Sequence, residues 1–278
     1  MREFRKKQKI FKKIMNMFII VTAVFIFLFY GFEPSLAKWI GSGATMAVMY
    51  VMYGFVVVSL SMLFQYSSKY AKSDKFLESV EYELSDAGYY LTSRAENNIE
   101  DYGRAVTDDL TASGYSVKYN EVINEFEFDA LCSKGREMFY IVKSSDIDKN
   151  DVIAYIDSAV YDITAINIKR RCDGVLLFIC DNADDGAVSL SKMITALGKK
   201  EQIKVAVAIA EVSTGRVYFL GNKVSKCQQM IANFVMNCNL PIKDEYIAKE
   251  KLPFQNELEE HMKKFNIKDY KNGVFFAH

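Results

Sequence analysis

Two long apolar runs near the start of the chain constrain its fold more than any other feature. They are IMNMFIIVTAVFIFLFYGF, which begins at Ile14, and ATMAVMYVMYGFVVVSLSMLF, which ends at Phe64, and neither contains a charged residue. A helix needs about 20 mostly apolar residues to cross a hydrocarbon core of about 30 Å. The sequence therefore predicts a transmembrane helical hairpin over residues 14–65, with EPSLAKWIGSG as a short connection.

The charges that flank the hairpin predict its orientation. Residues 1–13 form a basic tail with seven Lys or Arg against one Glu, whereas the connection between the runs has only Lys38 and Glu33. Lysine and arginine favour the cytoplasmic side of a membrane. We therefore expect a multi-pass protein of the cell membrane, with both termini cytoplasmic and roughly a dozen residues outside.

A cleaved signal peptide is the alternative interpretation of the first run. Ser35, Leu36 and Ala37 place small residues at a cleavage spacing. The run is longer than the apolar core of about 7 to 15 residues that signal peptides have. Retention of the run as a membrane helix is therefore the interpretation that we favour.

The rest of the chain has the composition of an ordinary globular domain. Half of all residues are hydrophobic, and the 35 basic and 35 acidic residues cancel. About 210 residues follow the hairpin, which is enough for one α/β domain with a tail. Five cysteines without a CxxC pair argue against a disulfide framework or a zinc site. The only histidines are His261 and His278, which argues against a histidine-based triad.

The pattern of apolar residues predicts the elements of this domain. Residues 66–88 read as a helical connector, and a helix is predicted from about Tyr89 to Ser113, with Gly114 as its C-cap. Three runs with a period of two follow, SVKYNEVI, EFEFDALCS and EMFYIVKSS, and they predict an antiparallel meander. Next come the helix DKNDVIAYIDSAVYDITAINIKRR, the strand GVLLFICD, the helix VSLSKMITALGKK, and the strands KVAVAIAEV and RVYFLG. The predicted order is thus α-βββ-α-β-α-β over residues 89–222, with a further strand at its end, followed by C-terminal helices and a tail over residues 223–278.

The meander also holds the most informative polar residues. In a strand alternate residues share a face, so Glu125, Glu127 and Asp129 are expected on one side of the second run. Lys143 closes the third run. A hairpin turn between these two runs would bring Asp129 and Lys143 towards the same end of one surface.

This arrangement resembles the restriction-endonuclease-like, PD-(D/E)xK nuclease superfamily. The resemblance lies in the order of elements, in the acid within Glu-Phe-Asp and in the lysine within Ile-Val-Lys. It implies that Asp129 holds a divalent cation, Mg²⁺ or Mn²⁺, and that Lys143 stabilises or activates the attacking water. Ile141 stands where the family has its second carboxylate. Glu127 is the first candidate to replace that carboxylate.

Three other acids could also replace it, namely Glu96, Glu100 and Asp146. The plainer interpretation is that the acids of the second run form a solvated strand face with Lys118 or Lys143 as charge partners. Because Ile141 supplies no ligand, we expect a module that is not an enzyme. The alternative is an active metal-dependent endonuclease.

Two further segments carry weaker signals. The loop Asp181–Gly186 follows a buried strand and could bind a cation, although a turn and a helix N-cap also explain it. Lys169, Arg170 and Arg171 form a basic cluster that could meet phosphate. The segment after the hairpin is slightly acidic, so a nucleic-acid partner would need a local basic face. A protein partner, a second copy of the chain and nucleic acid stay open, besides the membrane.

Overall fold

The structure is a computed structural model that describes residues 2–70, 74, 77, 78, 81, 82, 85–198 and 201–264. The chain divides into two compact units, with boundaries between Val80 and Glu81 and between Glu260 and His261. The first contains helices α1 (Arg2–Ile40) and α2 (Ser42–Lys69). Both are long and apolar enough to cross a membrane, over Arg5–Phe32 and Ser42–Lys69.

The two helices pack side by side in opposite directions. The ring of Phe11, near the start of α1, stacks on that of Tyr66, near the end of α2. Later turns of α1 contact progressively earlier turns of α2. Near the middle the hydroxyls of Thr22 and Ser59 share a hydrogen bond of 3.1 Å. Each hydroxyl also lies 2.9 Å from a carbonyl four residues earlier in its own helix, so the hydroxyl that accepts at this contact can donate to its own carbonyl.

The hairpin differs from the prediction at both of its ends. The basic tail is helical from Arg2, and α1 continues through the predicted outer connection to Ile40. Gly41 alone joins the helices, with a φ of 81° that favours glycine. The connection EPSLAKWI is rich enough in helix formers to extend α1, and Pro34 does not end it. Parts of the predicted connector, residues 71–73, 75, 76, 79, 80, 83 and 84, lie outside the described residues.

The second unit is built on a mixed sheet. Its strands are β1 (Tyr90–Leu91), β2 (Ser116–Ile123), β3 (Phe126–Lys134), β4 (Glu137–Lys143), β6 (Cys172–Cys180), β8 (Ile194–Leu197), β9 (Ile203–Glu211) and β10 (Arg216–Tyr218), with a separate pair, β5 (Asp146–Ile147) and β7 (Asn182–Ala183). The order is β1-β10-β9-β6-β4-β3-β2, with β8 also on β9. The meander β2-β3-β4 is antiparallel, whereas β4, β6 and β9 are parallel to one another.

Helices cover both faces of this sheet. They are α3 (Ile99–Ala112), α4 (Lys149–Tyr161), α5 (Asp185–Ser191), α6 (Lys226–Met230) and α7 (Pro253–Lys264), with π-helical turns Asp162–Ile166 and Ile231–Val235 and a 3₁₀ turn Asp244–Tyr246. In β6, Leu177 packs in the core cluster with α3 and α6, while Leu176 and Phe178 pack in the cluster with α4 and α5. The continuous apolar run of β6 is therefore explained by burial on both faces, as the sequence predicted.

Two predicted helices are shorter than expected. The helix predicted from Tyr89 begins at Ile99, where Asn98 caps it, and Tyr90–Leu91 pairs with β10 instead. The helix VSLSKMITALGKK ends at Ser191, and Ile194–Leu197 joins the edge of β9. In both places a free sheet edge offers backbone partners that outweigh local helical periodicity.

A buried ion pair lies beside both of these corrected segments. Lys192 Nζ donates to Asp86 Oδ2 at 2.7 Å and to the carbonyls of Ala87 and Phe219 at 2.8 and 2.9 Å. The backbone N–H groups of Gly221 and Asn222, at 3.1 and 2.9 Å, and the Tyr90 hydroxyl donate to Asp86 Oδ1. The side chains of Lys192 and Asp86 are 1% and 0% exposed. The pair is thus fully buried, and the three ammonium protons of Lys192 all have acceptors.

Candidate functional site

The candidate site lies where β3 and β4 separate. The pairing of β3 with β4 stops at Ala130 and Ile141. On the other side of β3, Tyr119 of β2 pairs with Ala130 and Glu121 pairs with Phe128. Asn120 and Asp129, which lie between these pairs, are not paired. Asn120 has a φ of 53°, in the left-handed region. Because of this break, the Asp129 side chain does not follow the alternation of faces along β3, and its carboxylate lies towards β4.

Asp129 and Lys143 are joined by two contacts. The backbone N–H of Lys143 donates to Asp129 Oδ2 at 2.7 Å, which replaces the strand hydrogen bond that is missing there. The Lys143 ammonium lies 3.6 Å from Asp129 Oδ1. The prediction that these residues approach each other at one end of the hairpin agrees with their placement in the structure.

Helix α3 completes the cluster. Asn98 caps the helix by accepting the N–H of Asp101 at 2.8 Å, and this sets the position of Glu100 in the first turn. Lys143 Nζ donates to Glu100 Oε2 at 2.6 Å. A Cβ on Gly103 would lie 3.2 Å from Lys143 Cδ, so the missing side chain gives the lysine stem room to pass along the helix. The ammonium therefore lies between two carboxylates that come from different elements.

A small open cavity of about 220 Å³ surrounds this cluster. Its lining residues are Glu100, Gly103, Arg104, Thr107, Tyr119, Asp129, Ala130, Ile141 and Lys143. The two acids and two bases in this wall balance each other. Arg104 is mostly exposed and lies 3.5 Å from Asp101. Because the charges of Glu100 and Asp129 cancel those of Arg104 and Lys143, the cavity carries no strong net charge to attract an anion or a cation.

The surroundings of Lys143 keep it protonated. Partial burial alone would lower its pKa, but the hydrogen bond to Glu100 and the charge of Asp129 outweigh burial and raise the pKa above its ordinary value. A lysine that acts as a general base needs the opposite shift. Lys143 is therefore suited to hold carboxylates rather than to accept a proton from water.

The other acids predicted for this site have different positions. Glu127 is exposed on β3 and does not line the cavity, and Glu125 lies in the β2–β3 turn rather than in the strand. Asp146 lies in β5, where the Asn182 side chain donates to it at 3.2 Å. Glu96 precedes α3 and is not part of the cavity wall either. Glu100 is thus the acid that the fold brings to Lys143, on the other side of the ammonium from Asp129.

The Lys143 ammonium takes the place between the two carboxylates where a divalent cation would have to lie. Mg²⁺ can be held by one or two carboxylates with waters, but here Glu100 and Asp129 face the ammonium, at 2.6 and 3.6 Å. Ile141 is 1% exposed and fills the wall with an apolar side chain. Within the part of the chain that the structure describes, no group of three or more His, Cys, Asp or Glu side chains is placed to hold a metal.

The two weaker candidates have structural roles. In the loop Asp181–Gly186, Asp184 caps α5 by accepting the N–H of Ala187, as its turn chemistry indicates. Lys169 Nζ donates to the carbonyl of Gly135 at 2.8 Å, at the β3–β4 turn. That turn lies at the other end of β4 from Lys143, about 20 Å away along the strand. The predicted basic residues are therefore divided between two ends of the sheet.

Comparisons with known proteins give no relative. No family model matches this chain, and no curated protein or solved structure matches it significantly. Fold and site define it as two long apolar helices followed by a mixed α/β sheet domain.

Proposed function

We propose that this protein is a membrane-anchored module whose α/β domain has a restriction-endonuclease-like fold and binds a partner at the inner face of the cell membrane without catalysing a reaction. The single observation that supports the loss of catalysis is the position of the Lys143 ammonium between Glu100 and Asp129, with the apolar Ile141 where the resemblance places the second carboxylate.

The fold assignment is supported by the order of the elements. One helix, a three-stranded antiparallel meander, a second helix and a strand parallel to β4 follow one another, as the superfamily arrangement requires. Asp129 and Lys143, which the resemblance maps to the first acid and the lysine, lie where β3 and β4 diverge. The proposed orientation, with both termini cytoplasmic, is supported by the charge asymmetry around the two apolar helices.

A protein is the better partner for this domain than nucleic acid. The basic residues do not form one face around Asp129, because the cluster at Lys169–Arg171 lies at the opposite end of β4. The same loop exposes Ile166 (57%) and Ile168 (75%), and Ile168 has a φ of 47°, which is unusual for a β-branched residue. Exposed isoleucines beside arginines suit a partner with an apolar and acidic surface.

A cleavage assay tests this proposal. The full-length protein in detergent is incubated with single- and double-stranded DNA and RNA in Mg²⁺ or Mn²⁺, beside Asp129→Ala and Lys143→Ala. We expect no cleavage by any of the three. Cleavage by the wild type that both substitutions abolish would overturn the proposal in favour of a membrane-tethered nuclease.

A binding measurement separates the partner classes. Nucleic-acid binding through phosphate contacts weakens steeply with salt. We expect no such salt-dependent binding to DNA or RNA by the wild-type protein. Tight binding that Arg170→Gln and Arg171→Gln remove would instead identify a nucleic-acid partner.

A further inference from the structure

Residues 166–171 of the α/β domain, which we call the basic loop, expose apolar and basic side chains together. Ile166 and Ile168 are 57% and 75% exposed, and the φ of 47° holds the β-branched Ile168 in the left-handed region. Arg170 and Arg171 are exposed beside them and form no ion pair with the residues that the structure describes. The side chains of this loop can therefore meet an apolar and acidic surface.

The positive charge of the basic loop is not cancelled by its neighbours. Lys169 donates to a carbonyl of the β3–β4 turn at 2.8 Å and so holds the loop against that turn, where Arg136 is also exposed. Two acids follow these segments in the chain. Glu137 already pairs with a lysine at 2.9 Å, and Asp173 is partly buried. The three arginines therefore leave this end of the sheet positively charged.

The α3 side of strand β2 exposes apolar and acidic side chains. Tyr119 and Val122 are 61% and 65% exposed. Ile123 packs in the cluster on the α4 side, so its neighbour Val122 points to the α3 side, and Glu127 shares that side because it pairs with Val122 across the strands. Tyr119 lies in the wall of the cavity together with Glu100. We call the following set the acidic surface: Tyr119, Val122, Glu127, Glu100 and Asp101.

The acidic surface is complementary in charge to the basic loop. The wall of the cavity is neutral by itself, but Asp101 and Glu127 lie outside that wall and add two negative charges. Lys118 of β2 does not offset them, because it pairs with Leu131, which packs on the α4 side. Each of the two surfaces thus has exposed apolar side chains beside an excess of charge, and the signs are opposite.

The two surfaces lie too far apart to meet within one copy of the chain. Glu127 and Lys134 are seven residues apart on β3, which is about 24 Å along a strand, and the basic loop lies against the turn that follows Lys134. A contact between the two surfaces therefore joins two copies. Each copy that uses one surface still presents the other, so such a head-to-tail contact continues into a ring or a line of copies.

We propose that the partner of the α/β domain is a second copy of this chain, which docks its basic loop on the acidic surface of the first. Ile168 packs against the exposed apolar side chains of that surface, and Arg170 and Arg171 face its carboxylates. The contact uses side chains and not the backbone edge of β2. The inference rests on the partner binding in the proposed function, and anchoring of the copies in one membrane raises their effective concentration.

Sedimentation velocity of the full-length protein in an uncharged detergent tests this contact. We expect the wild type to form dimers and larger assemblies as its concentration rises. Arg170→Glu with Arg171→Glu, and separately Asp101→Asn with Glu127→Lys, should each weaken the association by about tenfold or more. An equimolar mixture of the two variants should associate again, because it pairs an unchanged basic loop with an unchanged acidic surface.

Matched variants separate this contact from general effects of charge and apolar exposure. Lys243→Glu with Lys249→Glu reverses two exposed lysines outside both surfaces and should leave the association unchanged. Ile168→Ser should weaken the association. Ile153→Ser changes an isoleucine of α4 that is 42% exposed, and it should have no such effect.

Three results would overturn the proposal. The first is a wild type that stays monomeric. The second is association that persists in both charge variants, as a contact between the apolar helices would give. The third is a mixture that stays monomeric while near-UV circular dichroism shows both variants to be folded. A monomeric wild type that also cleaves no nucleic acid would leave the proposed function standing with a different protein as its partner, so the two failures are distinguished.

Discussion

The buried pair of Asp86 and Lys192 leads to a quantitative prediction for the stability of the α/β domain. Lys192→Met keeps the apolar stem but removes the ammonium, and this leaves the Asp86 carboxylate buried without its cation. The carbonyls of Ala87 and Phe219 also lose their donor. Removing one partner of such a pair costs about 3 to 5 kcal/mol.

The expected change in melting temperature follows from the size of the domain. For a domain of roughly this length, 1 kcal/mol corresponds to about 2 to 4 °C. We therefore expect Lys192→Met to lower the melting temperature by about 10 °C. Near-UV circular dichroism of the tyrosines measures the melting temperature. Burial and the charge of Asp86 raise the pKa of Tyr90, so its hydroxyl stays protonated during the measurement.

Two comparisons make the prediction refutable. Lys243→Met removes an exposed lysine that lies 3.6 Å from Glu245 and should change stability by at most about 0.5 kcal/mol. The double variant Asp86→Asn with Lys192→Met carries no charge at this buried site, and the new amide oxygen can still accept from the backbone of Gly221 and Asn222. It should therefore be more stable than Lys192→Met alone. A loss no greater than that of Lys243→Met, or no recovery in the double variant, would refute the reasoning.

Two further predictions concern titratable groups of the same domain. Burial raises the pKa of the Cys132 thiol to about 12 and also raises that of Cys238, which is only partly buried. We expect iodoacetamide at a pH of about 8 to alkylate Cys238 first, as peptide mass spectrometry would show, and equal reaction of Cys132 would contradict this. Burial alone would raise the pKa of Glu137, but the hydrogen bond from Tyr115 and the ion pair with Lys226 lower it below 4.5. The stability that this carboxylate adds is therefore complete above pH 4.5 and lost as the pH falls through the lowered pKa, so melting curves of wild type and Glu137→Gln should converge there.

Most of the fold could be predicted because its strongest signals are local. The apolar runs predict α1 and α2, and a change of period from 3.6 to two predicted the meander. The continuous apolar run of β6 indicates burial on both faces, and its residues are buried on both faces in the structure. Strand β1 could not be predicted, because it pairs with β10, which is distant in sequence. Strand β8 pairs with β9, which follows closely in the chain, but the helical periodicity of VSLSKMITALGKK concealed it.

The candidate site was predictable to a smaller extent. Asp129 and Lys143 lie on consecutive strands, so the hairpin turn relates them in the sequence itself. Glu100 reaches Lys143 only because helix α3 crosses the sheet above β4, and nothing in the local sequence gives that crossing. The face of Asp129 was also not predictable from alternation, since the break at Asn120 interrupts the period of two.

The left-handed residue Asn120 has a consequence for how copies of this domain behave at high local concentration. Strand β2 is one of the edge strands of the sheet, and a flat edge strand can pair with another chain. Asn120 interrupts the pairing of that edge strand near its middle and divides it into two short paired segments, Ser116–Tyr119 and Glu121–Ile123. Each segment is short, so this edge is a poor template for pairing with another copy, even though Tyr119 and Val122 are exposed there.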